Sequence, residues 1–323
     1  MARIMDRIRG RRRKAEQKPC EPWRAHAKTY FETRRPLRPP CGPVRDWCRD
    51  PAQLAGVLNV FRPVLDDPAA PQAMDRDNIP IPAIEDRESY FPGQHLTYWL
   101  SGLHDLRMME KCVPQTAFAH VLDFGGASGR VARHVIQAHP DAQVTIAELN
   151  INHVDWVNRY FGPQVRGVKV SPYPQFPLPD ESVSLCVAYS VFTHIDTYET
   201  AWLAEISRVL ANDGYAVLTI HSEHCWPQSA DAWRQASQHE RMLLDTLQQS
   251  PGFEDLYRPG EPMPFDRMAF DYTPNSIEHN CNVFMHTSYV RQVWGKWLEI
   301  VDIVPRGHYG FQAVVVLRKR PAS

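Results

Sequence analysis

The chain has 323 residues, of which 43% are hydrophobic, and its formal net charge at pH 7 is −1. A hydrophobic share of this size can fill a sizeable core, and a net charge near zero argues against a general polyanion-binding surface. No apolar run is long enough to span a membrane, and the N-terminus lacks the apolar segment of a secretory signal, so we expect a cytoplasmic globular protein.

Residues 1–88 differ in composition from the rest of the chain. They are rich in proline and show neither the helical nor the strand period, which predicts an irregular, partly disordered extension with a short helix at DPAQLAGVLNVF. Residues 1–14, MARIMDRIRGRRRK, carry seven basic residues and one acid. We interpret this segment as a solvated tail, with a peripheral contact to an anionic lipid or partner as the alternative.

The cysteines do not indicate a metal site. Cys20, Cys41 and Cys48 with His26 match no zinc-binding spacing, so we predict that no metal is bound.

From residue 89 onward, helices and strands alternate. An amphipathic helix is predicted within SYFPGQHLTYWLSGLHDLRMMEKC. The strand AHVLDFG, the helix RVARHVIQAH and the strands QVTIAEL and VSLCVAYS follow in that order. The helix TYETAWLAEISRVL, which Asp213 and Gly214 close, then leads to the strand YAVLTIH. This alternation is typical of a parallel sheet with helices on both faces.

The C-terminal part of the chain departs from this alternation of strands and helices. The helix TSYVRQVWGKW precedes two strands, LEIVDIV and FQAVVVLRK, and a link as short as PRGHYG makes this pair antiparallel. Residues 222–285 form an insertion before that helix, with one predicted helix, SADAWRQASQHERMLLDTLQQS. The remainder of the insertion, with Tyr257, Phe265, Phe270 and Tyr272, is predicted to be irregular.

A glycine-rich loop, VLDFGGASGR at residues 121–130, follows the first strand. Glycines there let the backbone approach a ligand, and Glu148 ends the next strand, where an acid can hold ribose hydroxyls. The spacing is not the G-x-G-x-x-G of dinucleotide sites. Asp123 would repel a pyrophosphate but not a ligand with ammonium and sulfonium charges, which favours S-adenosylmethionine.

These motifs together resemble those of class I S-adenosylmethionine-dependent methyltransferases. Residues 121–130 resemble the family's D-x-G-x-G-x-G loop, with Ala127 in place of the middle glycine, and FPLPDESVSLCVAYSVFTHI resembles its fourth-strand region. WLAEISRVLANDGYAVLTIH resembles the following helix and fifth strand, whereas FMHTSYVRQVW and QAVVVL resemble a bacterial branch often encoded among glycan or natural-product genes.

The resemblance covers about residues 90–320. It implies an α/β, Rossmann-like methyltransferase fold with a doubly wound, seven-stranded, mostly parallel sheet and an antiparallel C-terminal strand. It also implies a methyltransferase domain over residues 89–323. We expect substrate specificity to come from outside its core, from residues 1 to about 110 and from the insertion 222–285, because loops over the C-terminal edge of a parallel sheet are where such ligands bind. S-adenosyl-L-methionine is the implied cofactor.

We predict three sets of site residues. The predicted cofactor-binding residues are Asp123, Gly125, Gly126, Ser128, Gly129, Glu148, Asn150, Tyr189 and Ser190. The predicted substrate residues are Tyr98, His286, Tyr289 and His308. The predicted catalytic residues, His194 and His221, follow or end a strand at the ligand-binding edge, and imidazole takes up protons near neutrality. For His194, a capping or packing role is the alternative.

The predicted function is methyl transfer to a hydroxyl oxygen of a polar small molecule or sugar. The alternatives are methylation of a carboxylate, a phosphate or a nitrogen, a non-catalytic S-adenosylmethionine-binding module, and a nicotinamide-dependent oxidoreductase. A nucleic-acid methyltransferase is disfavoured because the core has no basic patch and lacks the motifs of that class after the fourth strand. We therefore expect a small-molecule or glycan substrate, no nucleic-acid partner and no membrane span.

Overall fold

The computed structural model describes residues 32–88, 90–226, 238–258, 260–271 and 281–321. The basic segment 1–14, Cys20, His26, Tyr272 and the first part of the predicted insertion helix lie outside the described residues. Within the described ranges, no helix has the length and apolar character that crossing a membrane requires.

The described strands form two sheets. Their bounds are β1 (His120–Phe124), β2 (Gln143–Glu148), β3 (Val165–Lys169), β4 (Val183–Ala188), β5 (Leu210–Ile220), β6 (Arg267–Asp271), β7 (Cys281–Met285), β8 (Glu299–His308) and β9 (Gln312–Arg318). The seven-stranded sheet has the order β3-β2-β1-β4-β5-β9-β8. Strands β1 to β5 pair in parallel, and β9 is antiparallel to both of its neighbours, which confirms the predicted fold class.

Helices cover both faces of this sheet. The α-helices in the described ranges are α1 (Pro51–Ala55), α2 (Arg62–Leu65), α3 (Ala70–Arg76), α4 (His95–Cys112), α5 (Ala132–Ala138), α6 (Ile151–Tyr160), α7 (Glu199–Val209), α8 (Gln238–Gln248), α9 (Phe253–Leu256) and α10 (Thr287–Val293). Alternate strand residues divide between two hydrophobic clusters. One joins Val121 to α4, α5 and α6, and the other joins Leu122 to α7 and α10. Burial on both faces is why strands β1, β4 and β9 are apolar over most of their length rather than alternating.

The segment 32–88 covers the outer side of α4. Its short helices include α1 and α2, within and beside the predicted helical stretch, and its Phe61, Met74 and Ile81 join the same buried cluster as Leu96. The Trp99 indole donates to Asp77 Oδ2 at 2.7 Å across this contact. Helix α4 is therefore buried on nearly all sides, between the N-terminal segment and the sheet.

The insertion contains two strands that the sequence analysis did not predict. The expectation of an irregular stretch is wrong at β6 and β7, which pair antiparallel as a two-stranded sheet. The link from α7 to β5 also differs from expectation, because Asp213 and Gly214 lie within β5 and not at the helix end. Burial of Phe270 and Phe284 in one cluster with Trp226 stabilises the strand pair, and this contact joins residues distant in sequence.

Strand β7 fastens the insertion to the carboxyl-terminal edge of the main sheet. The Val283 N–H donates to the Thr193 carbonyl at 2.8 Å, and the Met285 N–H donates to the His221 carbonyl at 2.9 Å. Thr193 follows β4 and His221 follows β5. The insertion therefore lies over the edge of a parallel sheet at which ligands bind in doubly wound folds.

Candidate functional site

The glycine loop follows β1, next to the point where the strand order reverses between β1 and β4. Gly125 and Gly129 have φ angles of +72° and +81°, which side-chain-bearing residues rarely adopt. A Cβ atom on Gly125 would lie 2.6 Å from Val191 Cγ2, and one on Gly129 would lie 2.5 Å from Phe161 Cζ. Both the backbone conformation and the available space therefore require glycine at these two positions.

Glu148 at the end of β2 is hydrogen-bonded to the glycine loop. The Ala127 N–H donates to Glu148 Oε2 at 3.0 Å, and the Asn150 N–H donates to Glu148 Oε1 at 2.8 Å. Burial raises the pKa of the Glu148 carboxyl, although these backbone N–H groups oppose the change. A carboxylate oxygen accepts more than one hydrogen bond, so both oxygens can also receive the hydroxyls of a ribose. Asn150 caps α6 by accepting from the Asn152 N–H at 3.0 Å.

Asp123 is a buried acid with an incomplete set of partners. Its exposed fraction is 3%, and among the described residues its Oδ2 atom has no hydrogen-bond partner. Burial raises the pKa of Asp123 to about 7, with the opposing effect of Arg130 and the reinforcing effects of Glu148 and Asp105. A cationic ligand group such as an ammonium would both satisfy this oxygen and favour its ionised form.

One pocket opens beside the glycine loop. It is lined by Arg87, Tyr90, Tyr98, Asp123, Gly125, Gly126, Ala127, Arg130, Val131 and Tyr189. Four predicted cofactor residues and Tyr98, which was predicted for the substrate, thus lie around one space. Tyr98 and Tyr189 are buried, and the Tyr189 hydroxyl donates to the Asp105 carbonyl at 3.2 Å.

A buried charged cluster, which no motif in the sequence indicates, adjoins this pocket. Arg130 Nη2 lies 2.6 Å from Asp105 Oδ2, His308 Nε2 lies 3.1 Å from Asp105 Oδ1, and the Tyr309 hydroxyl donates to Asp105 Oδ2 at 3.1 Å. Burial opposes ionisation of Asp105, but Arg130 and His308 outweigh it and hold the pKa of this carboxyl well below its usual range. The cluster therefore ties α4 to the glycine loop and to the β8–β9 hairpin.

Gln312 extends this cluster toward the ends of β4 and β5. Its Oε1 atom lies 3.0 Å from His308 Nδ1, its Nε2 atom donates to Ser190 Oγ at 3.0 Å, and Nε2 also lies 3.4 Å from His221 Nε2. The Ser190 N–H donates to Thr219 Oγ1 at 2.7 Å. The structure thus joins three predicted residues, Ser190, His221 and His308, through one glutamine that the sequence analysis did not select.

The two predicted catalytic histidines lie against strand β7 but in different environments. His221 is 3% exposed, and burial, with a smaller effect of His194, lowers its pKa to about 3. His194 is half-buried, and its Nδ1 atom lies 2.7 Å from the Cys281 carbonyl oxygen. Because a carbonyl only accepts hydrogen bonds, Nδ1 must carry the proton, which leaves Nε2 as the acceptor of the neutral ring. Neither histidine is among the described residues that line the pocket.

The remaining predicted residues lie at two places, the start of α10 and the glycine loop. His286 is the N-cap of α10, accepting from the Ser288 N–H at 3.2 Å, and its Nε2 atom is 3.8 Å from Glu223 Oε1. Tyr289 on α10 is half-buried near Glu199. Ser128 is buried in the glycine loop, and its Oγ atom has no hydrogen-bond partner among the described residues. Their assignment to cofactor or substrate stays a prediction.

Metal chemistry has no candidate centre in the part of the chain that the structure describes. No group of three or more His, Cys, Asp or Glu side chains there is arranged to hold a metal ion.

One known family matches part of this region of the chain. Residues 121–214 match the family model described as "Methyltransferase domain". A search of the curated proteins found no match.

Solved structures with a similar fold include the following three. A Pyrococcus horikoshii OT3 protein has 12% identity, 69% of this chain and 92% of that chain covered, and a TM-score of 0.49. The 1,6-didemethyltoxoflavin-N1-methyltransferase of Burkholderia thailandensis has 15% identity, 69% and 86% covered, and a TM-score of 0.41. Human N-acetylserotonin methyltransferase has 12% identity, 70% and 56% covered, and a TM-score of 0.43. Identities this low indicate nothing about the substrate of this chain.

The methyltransferase-domain match covers the glycine loop, Glu148 and the loop after β4. The glycine cradle, the acid at the end of β2 and the incompletely bonded Asp123 fit the cofactor of this class. Residues 121–214 therefore have the features of a methyltransferase domain that takes S-adenosylmethionine as its cofactor.

The buried Asp123 carboxyl makes the stability of the ligand-free protein pH-dependent. Its folded pKa of about 7 lies above the value of about 3.9 for an unfolded aspartate, so its contribution to stability is present below pH 4 and is lost as the pH rises to 7. Asp123→Asn should remove this loss. We expect the variant to melt several degrees above the wild type at pH 8 and at the same temperature at pH 4.

Calorimetry across this pH range checks the expectation, with the exposed Asp141→Asn as the control. If the melting temperatures of wild type and Asp123→Asn differed by the same amount at pH 4 and pH 8, Asp123 would ionise in the folded protein as it does in the unfolded chain.

Proposed function

We propose that the protein transfers the methyl group of S-adenosylmethionine to a hydroxyl oxygen of a polar small molecule or sugar. The observation that carries this proposal is the hydrogen bond between His194 Nδ1 and the Cys281 carbonyl at 2.7 Å. It fixes the tautomer in which Nε2 can accept a proton, and a hydroxyl is the acceptor class that needs such a base.

The residues around the glycine loop fit the cofactor in two places. Glu148 would hold the ribose hydroxyls through the free lone pairs of its two oxygens, and Asp123 would face the ammonium of the methionine part. When bound, S-adenosylmethionine supplies a methyl group already activated on a sulfonium. The protein therefore has to align the acceptor, exclude water and remove the acceptor's proton.

The two histidines at the sheet edge differ in their fitness for that last task. Burial lowers the pKa of His221 to about 3, so its ring strongly disfavours the protonated form. A base must hold the proton that it takes up, at least until the proton passes to water. His194 is half-buried and has one nitrogen fixed by a backbone carbonyl, which supports it as the base and supports His221 as a neutral hydrogen-bonding partner of Gln312.

A polar acceptor is supported by the surroundings of this edge. Polar side chains, among them Ser190, Gln312 and Thr193, follow or flank the strands there, and strand β7 is hydrogen-bonded to the Thr193 backbone. Such groups fix the orientation of a hydroxyl-rich ligand but cost desolvation free energy against an apolar one.

The experiment that tests the proposed function is an assay with a methyl-deuterated cofactor and a library of candidate acceptors. The library should contain sugars and phenols together with matched carboxylates, phosphates and amines. A product with a labelled methyl ether supports the proposal. A labelled ester or N-methyl product with no ether would contradict it while leaving the methyltransferase assignment intact.

The base role of His194 predicts a distinct pattern among variants. With a hydroxyl acceptor, His194→Ala should lower the rate of the chemical step by about 10²-fold, and cofactor affinity should be nearly unchanged. His194→Gln should be equally slow, because an amide forms hydrogen bonds but takes up no proton. Single-turnover kinetics measures this step.

Restoration of the rate in His194→Gln would instead mean that the histidine only orients the acceptor. A loss of only a few-fold in both variants would mean that the chemical step needs no base at this position.

A further inference from the structure

Arg87 is a buried cation that pairs with no carboxylate in the part of the chain that the structure describes. Its exposed fraction is 1%, and no Asp or Glu among the described residues forms an ion pair with it. Its Nη2 atom donates to the Phe91 carbonyl at 2.9 Å, and its Nη1 atom lies 3.3 Å from His95 Nδ1. The guanidinium carbon lies 5.1 Å from the centre of the Tyr98 ring, and Nε has no hydrogen-bond partner within the described ranges.

The other buried arginines near this pocket are compensated. Arg130 pairs with Asp105 at 2.6 Å, and Arg133 pairs with Asp77 at 3.1 Å. A buried charge without a partner is costly, and burial accordingly lowers the pKa of Arg87. Because guanidinium stays protonated at neutral pH, this side chain calls for an anion from outside the described protein.

The position of Arg87 indicates which anion this is. Arg87 lines the same pocket as Asp123 and the glycine loop. The pocket therefore offers one incompletely bonded cation and one incompletely bonded anion. This pair of charges matches the two charges of an α-amino acid, an ammonium and a carboxylate, and guanidinium binds a carboxylate in a two-pronged geometry.

We propose that Arg87 binds the carboxylate of the methionine part of S-adenosylmethionine, so that the N-terminal segment completes the cofactor site. The proposal rests on the cofactor assignment and extends it to a residue outside the matched domain, residues 121–214. An acidic methyl acceptor is the other source of a carboxylate. The cofactor is favoured over an acidic acceptor because the pocket that contains Arg87 is lined by the glycine loop. Neither His194 nor His221 lines that pocket.

The test compares three ligands by isothermal titration. S-adenosylhomocysteine carries the ammonium and the carboxylate, its decarboxylated analogue carries only the ammonium, and 5′-methylthioadenosine carries neither. Arg87→Gln should weaken S-adenosylhomocysteine by about 10- to 100-fold and leave the other two ligands unchanged. Asp123→Asn should weaken the first two ligands and leave 5′-methylthioadenosine unchanged. Arg45→Gln, at an exposed position of the same N-terminal segment, is the matched control and should change none of them.

The design separates failure of this proposal from failure of the cofactor assignment. Equal affinity of wild type and Arg87→Gln for S-adenosylhomocysteine would overturn the role of Arg87. Loss of all three ligands in Arg87→Gln would also overturn the proposed role, because Arg87 would then act through the fold and not on the carboxylate. Equal recovery of all three ligands in Arg87→Lys would confirm that structural role. No binding of S-adenosylhomocysteine to the wild type would contradict the cofactor itself.

Discussion

Asp105→Ala is expected to lower the free energy of unfolding by about 3 to 5 kcal/mol, the range for breaking a buried ion pair from one side. Asp105 is fully buried and is the only acid in the described residues that pairs with Arg130, which lies 2.6 Å away. Its removal leaves the Arg130 guanidinium uncompensated and takes an acceptor from His308 and Tyr309. Urea unfolding measures the change.

The control is a surface pair of the same chemistry. Asp155 on α6 pairs with Arg34 at 2.9 Å, and the Arg34 side chain is 68% exposed, so Asp155→Ala should cost less than about 1 kcal/mol. The combined change Asp105→Leu with Arg130→Met should recover most of the loss, because an apolar pair leaves no charge buried. Equal losses in Asp105→Ala and Asp155→Ala would contradict the assignment of Asp105 as the centre of the buried cluster.

Gly125→Val is expected to abolish binding of the cofactor, with a loss in affinity of more than about 10³-fold. Two effects combine: valine resists a φ of +72°, and its Cβ atom would meet Val191 Cγ2 at 2.6 Å. Relief of that contact requires movement of the glycine loop or of the loop after β4, and both border the cofactor pocket. Titration with S-adenosylhomocysteine measures the loss.

Gly252→Val is the matched control, since it separates backbone strain from the local contact. Gly252 has a φ of +82°, and nothing lies within 4 Å of a Cβ atom built there. It precedes α9 in the insertion, away from the glycine loop. This variant should lose stability but retain affinity, whereas unchanged affinity in Gly125→Val would show that the loop does not contact the ligand.

The parts of the molecule that the sequence predicted are those encoded locally. The alternation of strands and helices predicted the main sheet, because each element has its own period and end signals. The pocket likewise contains Asp123, Gly125 and Gly126, which are adjacent in sequence and share one strand-to-helix turn. Short sequence separation is what made these residues recognisable.

The unpredicted parts depend on contacts between distant residues. Arg87 belongs to a segment with no secondary-structure period, and nothing in its neighbours in sequence indicates that it lines the pocket. Strands β6 and β7 are only five residues each, and pairing rather than propensity defines them. For Asp105 the sequence does contain a hint of the buried cluster. Asp105 lies four residues after Ser101 and four before Met109, so it shares a face of α4 with residues that are buried, and a buried acid needs a partner.

The hydrogen bonds between strand β7 and the ends of β4 and β5 limit how this enzyme can change its substrate. His194 takes its tautomer from the carbonyl of Cys281, the first residue of that strand. A graft that replaced the insertion with that of another protein would also replace the carbonyl that orients His194, the proposed base. If the proposed roles hold, substrate recognition and proton removal depend on the same segment, and we expect point changes within the insertion to alter specificity with less loss of activity than exchange of the whole segment.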